Sequence, residues 1–344
     1  MRLFRSRPIP LPPSVFAQVL PHEESAPLDP RMLEQAMPFL LTLEQRTAMA
    51  TRCRDADVVP KVSNAGSVSV DADGRAVQLM HNGVRVMAGG YYGEWMTRLI
   101  ELCQGHHEPQ EERVFHEVLA RLPPGGTMLE LGGFWAFYST WFLTAAPGRR
   151  AVLVEPDPAH IVVGRTNLAL NGVDAPFVQG FVGGEPGSVR PFDTEVSGQL
   201  ELPCLDVAGL MADQGMERLT ILHCDTQGAE FAVLEQAAPL LQAGRVDWAF
   251  VSTHHHSISG DPLTHQRCLA LLRRLGATIE AEHDVAESFS GDGLICARFC
   301  EAPADWQPID LSRNRSSQSL FRDPLYDLAA LQGGLGRPVG MTSD

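Results

Sequence analysis

The sequence predicts an α/β protein built on a doubly wound, mostly parallel sheet of seven strands, with a small helical and β-meander extension ahead of it. Three observations carry that reading. From His106 onward, apolar runs of strand length alternate with helix-length segments, the rhythm of a parallel sheet covered on both faces. Met128-Leu-Glu-Leu-Gly-Gly-Phe-Trp-Ala136 reads as a strand, a glycine turn and a helix start. One helix length later, Ala151-Val-Leu-Val-Glu-Pro-Asp157 reads as a second strand ending in an acid. Two later helical segments stop at Gly244 and Gly276, a common helix terminator.

Taken in order, residues 1–30 hold seven prolines and predict an extended arm. From Pro30 to about Arg54 the pairs Met32-Leu33, Ala36-Met37 and Leu40-Leu41 recur at helical spacing and suggest one or two helices. Three short strands follow at 67–70, 76–80 and 84–87, joined by Asp73-Gly74 and Asn82-Gly83, dipeptides favoured in tight hairpins. Gly89-Gly-Tyr-Tyr-Gly-Glu-Trp95 is a loop, either packing or lying over a site. A helix is expected at 110–122, strands at 127–131, 151–155, 176–179, 219–224, 247–252, 277–282 and 293–299, and helices near 137–145, 158–170, 229–243 and 262–275. The division is therefore 1–105 as arm, helices and meander serving as cap or dimer surface, 106–300 as the ligand-binding domain, and 301–344 as a tail. In the tail, the apolar stretch Leu325 to Leu331 is able to dock as a helix or join a dimer contact.

At 344 residues and 44% hydrophobic content the chain can bury a sizeable core. Its formal charge of −15 argues against nucleic acid or an anionic membrane as partner and favours a small, neutral or cationic acceptor; a homo-oligomer stays open. The seven cysteines are odd in number and scattered, without a Cys-x-x-Cys pair, so a reducing cytoplasm is expected rather than a disulfide framework. The basic N-terminus lacks the apolar region of a secretion signal.

A glycine turn followed by a strand-terminal acid holds an adenosine-containing cofactor, because glycines admit backbone to the ligand and the acid accepts from ribose hydroxyls. Glu130, beside the turn, would repel a pyrophosphate but suits an ammonium or a ribose, so S-adenosylmethionine fits better than NAD. On this reading Gly132 and Gly133 provide backbone reach, and Glu155 takes the ribose hydroxyls. Asp157 assists there or caps the helix starting at Pro158. Gln179 contacts the adenine edge or is a turn residue.

With Glu130 to Ala136, Val154-Glu-Pro-Asp-Pro158, Asn167-Leu-Ala-Leu-Asn-Gly172, Leu205-Asp206 and Leu222-His-Cys-Asp-Thr-Gln-Gly-Ala-Glu230 in one order, the chain resembles the FkbM-type S-adenosylmethionine-dependent methyltransferases over roughly residues 107–300. The resemblance implies a class I methyltransferase fold, usually acting on oxygen of sugars or natural-product scaffolds. The chain departs from it in Ala136, in the bulky Phe134-Trp135, and in Ser252-Thr-His-His-His256, where relatives more often carry an acid and a single histidine.

Asp225, at the carboxyl end of the fourth strand, is the first candidate for a general base, against a structural role. If the chain stays extended through the histidine run, His254 and His256 share one face and approach Asp225. The three would then hold a divalent metal that lowers the pKa of an acceptor hydroxyl. Otherwise one histidine acts as base alone, or the run only hydrogen-bonds. His223 and Cys224 read as core, His106 and His107 as neighbours of the cofactor mouth, and Ser288 to Gly293 as a loop without an assigned role. An N-methyltransferase, a nicotinamide-dependent oxidoreductase and a catalytically inert binding scaffold are the rival readings.

Overall fold

The computed structural model describes residues 43–314. The proline-rich arm, most of the helical stretch after Pro30 and the Leu325 to Leu331 segment lie outside the described residues. Helix α1 (Leu43–Ala50) and a short 3-10 turn (Asp55–Val58) lead into the expected antiparallel meander of β1 (Val68–Val70), β2 (Ala76–Leu79) and β3 (Arg85–Met87). Val77 faces Ser69 on one side and Met87 on the other. Gly74 and Gly83 take the left-handed φ their hairpins require, +80° and +87°.

The stretch 89–95 is only half a loop. Tyr92, at φ 46°, turns the chain into helix α2 (Gly93–Leu102), whose Met96, Leu99 and Ile100 are buried at helical spacing. Trp95 docks α1 by donating its indole N–H to the Leu43 carbonyl (3.1 Å) and Thr47 Oγ1 (2.9 Å).

After α3 (Pro109–Leu119), with proline at its first turn, the main sheet begins. Its first half is β4 (Thr127–Leu131), α4 (Phe137–Ala145), β5 (Arg150–Glu155), α5 (Pro158–Leu170) and β6 (Phe177–Gln179). An unexpected three-stranded sheet follows, made of β7 (Phe181–Val182), β8 (Val189–Asp193) and β9 (Gln199–Leu205), and then α6 (Val207–Asp213). The second half runs β10 (Leu219–Cys224), α7 (Glu230–Gln242), β11 (Val246–Thr253), α8 (His256–Ser259), α9 (Thr264–Arg274), β12 (Thr278–His283) and β13 (Gly293–Arg298).

All seven expected strands are present, in the spatial order β12-β13-β11-β10-β4-β5-β6. The pairs from β6 to β11 are parallel, while β13 inserts antiparallel between β11 and β12. Numbered within the sheet this is 3-2-1-4-5-7-6, the class I methyltransferase arrangement that the resemblance implied. Neighbouring positions along each strand serve opposite faces. Met128, Ile221 and Phe250 join Phe115, Phe137 and Trp141 on one side, whereas Leu129, Leu222 and Val251 join the apolar faces of α6, α7 and α9 on the other. Phe115 sits fully buried 5.0 Å from Trp141 and 5.3 Å from Phe250 by ring centroids, so truncating it to alanine is expected to cost about 3–5 kcal/mol.

Candidate active site

The order of the sheet reverses between β4 and β10, and ligands of open α/β sheets bind outside the carboxyl ends of the strands at such a point. Here the two strand ends touch. The Asp225 amide donates to the Leu131 carbonyl (2.9 Å), and a Cβ on Gly132, whose φ is +85°, would lie 1.7 Å from the Asp225 carbonyl oxygen. Gly132 is thus glycine because backbone packs against it, a reason different from the ligand access expected of it. Gly133 is likewise tight, with Leu153 Cβ 2.9 Å from where its own would be.

Glu130, 4% exposed, accepts from the Ser139 amide in the first turn of α4 (3.1 Å), and burial pushes its carboxyl up to about 7. Glu155 ties the glycine turn to its own strand end. One oxygen accepts from the Phe134 amide (3.1 Å); the other accepts from the Asp157 amide (2.9 Å) and lies 3.3 Å from His160 Nδ1. Asp157 caps α5 through the Ala159 amide (2.9 Å) and clasps the β8–β9 hairpin through the amides of Val196 and Ser197 and the Ser197 hydroxyl. Burial works against its charge, but these bonds draw its pKa down to about 2. The bond from the Ala159 amide is the helix cap expected as one of its two roles. Gln179 is exposed and donates to the Pro156 carbonyl (3.1 Å), as a turn residue does.

These groups suit an adenosyl ligand. Buried carboxylates end the two adjacent strands β4 and β5, and Ser139 Oγ beside Glu130 is buried without a partner. When bound, S-adenosylmethionine supplies an electrophilic methyl group. The bulky turn residues leave the arrangement intact because they pack elsewhere: Trp135 stacks on Tyr91 (4.4 Å, 6° between planes) and Phe134 on His160 (3.5 Å, 12°). The loop before α2 therefore packs against the glycine turn.

His254 is the hub of the carboxyl edge. It is 6% exposed, with Nδ1 2.9 Å from Glu230 Oε1 and Nε2 3.2 Å from Asp225 Oδ1 and 3.6 Å from Asp292 Oδ1. The approach to Asp225 is an ion pair not aligned as a hydrogen bond, which leaves Asp225 Oδ1 without a donor. Burial disfavours the imidazolium, yet Asp292, Glu230 and Asp225 together hold the His254 pKa well above its usual value. Asp292 is pushed up to about 7, first by burial and then by the charges of Asp225 and Glu108, against the pull of His254. Arg46 of α1, its guanidinium 4.7 Å above the Trp95 ring, adds a positive field at Asp292.

The histidine run departs from expectation. Strand β11 ends at Thr253 and α8 begins at His256, so His254 and His256 do not share a strand face; the His256 ring instead lies tilted against His255 (centroids 3.8 Å apart). Asp225 and His254 meet as expected, but the triad with His256 is not a metal constellation. Among the described residues the one set with ligand atoms within 4.8 Å is His81, His106 and Glu112.

That set lies behind the site and reads as a hydrogen-bonded core. His106 Nδ1 (2.6 Å) and His81 Nδ1 (3.0 Å) share Glu112 Oε2, and the amides of His107 (2.7 Å) and Glu108 (3.0 Å) donate to Oε1. His107 joins Glu112 (2.8 Å) to Glu108 (3.1 Å), whose other contact is the Tyr138 hydroxyl (3.1 Å). Although burial opposes it, those two carboxylates raise His107 to about 10. His223 and Cys224 are buried as expected, His223 pairing with Glu111 at 2.8 Å. Asp292, Glu230 and Glu108 are the site residues that the sequence reading left without a role.

Residues 120–279 match the family model of the methyltransferase FkbM domain. No curated protein matches the chain. Among solved structures it is similar to the precorrin-6y C5,15-methyltransferase from Geobacter metallireducens GS-15 (14% identity, 54% of this chain and 86% of that one, TM-score 0.36). It is also similar to the ribosomal protein L11 methylase from Lactobacillus delbrueckii subsp. bulgaricus (10%, 56% and 80%, 0.36) and to the O-methyltransferase from Bacillus cereus in complex with SAH (14%, 53% and 77%, 0.32). Among the described residues no helix is long and apolar enough to cross a membrane. The family match and the strand order together identify residues 120–279 as a methyltransferase FkbM domain, and the chain as an S-adenosylmethionine-dependent methyltransferase.

Proposed function

We propose that the chain methylates a hydroxyl oxygen of a small-molecule acceptor, such as a sugar or a natural-product scaffold, with Asp225 orienting the hydroxyl and Asp292 taking its proton. The observation that carries this is the placement of His254 between Glu230, Asp225 and Asp292 at the end of the central strands. A doubly protonated imidazole has no lone pair for a proton or a metal, so His254 orients the two aspartates rather than acting as base or ligand. Asp292, with a pKa of about 7, accepts a proton at neutral pH more readily than an ordinary carboxylate. Carboxylates favour oxygen over nitrogen as acceptor: they would hold an amine as ammonium, whose lone pair is unavailable, whereas a neutral hydroxyl can donate its proton to them. Glu130, Glu155 and the Gly132-Gly133 turn would hold the cofactor, with Ser139 beside Glu130. The −15 charge supports a neutral or cationic small acceptor over nucleic acid or an anionic membrane, and seven free thiols suit a reducing cytoplasm.

The test is methyl transfer from labelled S-adenosylmethionine to a panel of hydroxylated sugars and phenols, each paired with its amino and deoxy analogue, with and without chelator. Transfer to hydroxyl members alone, insensitive to chelator, is the expected result. Transfer confined to amines would overturn the oxygen reading, and loss of activity with chelator would restore a metal.

A further inference from the structure

A second cavity lies away from the acid cluster, beside Arg149, which directly precedes β5; Glu155 ends that same strand. Its volume is about 480 Å³, within the range of small-molecule sites. The loop at Pro60, the β2–β3 turn, the end of α3 and the end of α4 form the walls of this open depression. The polar members of its wall are Lys61, His81, Asn82, His116 and Arg149, with Trp141 among the apolar ones, and no described carboxylate lines it. In a chain with a surplus of fifteen negative charges, a lining without a described carboxylate stands out, with Glu112 lying behind His81 (3.0 Å) and acting, as Asp57 does, on Lys61.

Arg149 makes the case. Arginine is almost never buried without a charged partner, yet Arg149 is 8% exposed and its described contacts are the Phe142 carbonyl (3.1 Å) and the Phe142 ring (4.8 Å). That carbonyl belongs to the last turns of α4, so the helix end offsets part of the charge. Nε is buried with no partner. Burial lowers the Arg149 pKa, and no described acid acts against it. Asn82 Nδ2 and His81 Nε2 are also buried and unpartnered. Lys61 uses two of its three donors on the Ala56 (2.7 Å) and Val59 (3.2 Å) carbonyls and keeps the third. An oxyanion in the cavity would pair with the third Lys61 donor and offset the Arg149 charge, which no described acid balances.

We propose that this cavity binds a small organic oxyanion, its carboxylate or phosphate held by Arg149 and Lys61 and its apolar body lying against Trp141 and the aliphatic wall. The site is separate from the methyl-transfer centre, so its occupancy is read without turnover.

The probes are benzoate and phenyl phosphate, with benzyl alcohol as the neutral counterpart, titrated calorimetrically into the full chain in a buffer free of other oxyanions. At least one anion is expected to bind saturably in the millimolar range or tighter, tenfold or more above the alcohol. The binding should be unchanged by saturating S-adenosylhomocysteine, and the preferred probe distinguishes carboxylate from phosphate ligands. Arg149→Met should weaken it tenfold or more, and Lys61→Met, checked by circular dichroism, should weaken it even if the first variant folds poorly. Absence of saturable binding, equal binding of the alcohol, competition with S-adenosylhomocysteine, or full affinity in a folded Lys61→Met variant would each overturn the proposal.

Discussion

Gly132→Ala tests how the two central strands meet. The new Cβ would start 1.7 Å from the Asp225 carbonyl oxygen, where real contacts essentially never fall below 3.0 Å, so the Asp225 backbone must retreat by more than an ångström. Holding a non-glycine residue at φ +85° adds roughly 1–3 kcal/mol of strain. Forcing atoms into a packed region adds about 1–3 kcal/mol more. A loss of about 2–6 kcal/mol lowers Tm by very roughly 4–20 °C in a domain of this size. Gly172→Ala is the internal control: its φ is +67°, but nothing lies within 4 Å of the added carbon, so backbone strain alone acts. Thermal and urea unfolding of both variants give the comparison. At a temperature where Gly132→Ala stays folded, its kcat should also fall on the order of a hundredfold, because a shift of about 1 Å misplaces Asp225. If the two alanine variants lose equal stability and Gly132→Ala keeps full turnover, the close approach, and Asp225's role with it, is wrong.

Three other perturbations follow from the same geometry. Because Asp292 must be ionised to take a proton, kcat/KM should rise with pH through about 7, and Asp292→Asn should abolish that limb and lower the rate about 10²- to 10⁴-fold; a limb that survives in the variant assigns the base elsewhere. The same group makes a stability prediction of definite sign: its folded pKa of about 7 exceeds the ordinary 3.8, so stability falls as pH rises between those values, and Asp292→Asn should flatten that fall in urea titrations. His254→Gln strips the cation from a fully buried Glu230 and should cost about 3–5 kcal/mol. Since the folded pKa of His254 is raised, that stabilisation is fully present below the unfolded value and is lost only as pH climbs through the raised one, so the gap between wild type and variant should remain open at neutral pH; its closure by pH 7 would refute the raised pKa. Asp157→Ala should lose roughly 1–2 kcal/mol as a helix cap while binding S-adenosylhomocysteine as tightly as wild type; weakened binding at unchanged Tm would return it to the cofactor.

The main sheet was legible because its strands are continuous apolar runs closed by glycine or an acid, and burial on both faces makes such runs unmistakable. The inserted sheet was not. Phe181–Val182 is too short to carry a period, and Pro191 and Pro203 sit inside β8 and β9, where proline argues against a strand unless it lies at an edge. Helix α2 had a readable signal in Met96, Leu99 and Ile100, but the glycines and tyrosines just before it suggested a loop. At the histidine run the pattern of β11 gives no sign that the strand stops at Thr253, because side chains distant in sequence hold His254 there: Glu230 at the start of α7 and Asp225 at the end of β10.

Asp292 shows what topology adds to sequence. As an isolated residue in a Ser-Gly-rich turn it has no distinguishing mark. Because β13 runs antiparallel to β11, its first residues lie at the edge where the parallel strands end, which brings the preceding loop over Asp225 and His254. Three carboxylates around one imidazolium leave the cluster net negative, with Arg46 offsetting only part of it. In the proposed transfer to oxygen, positive charge would build on the acceptor oxygen until its proton leaves; fixed carboxylates there would stabilise that charge as it forms, and the aspartate nearest neutrality would take the proton.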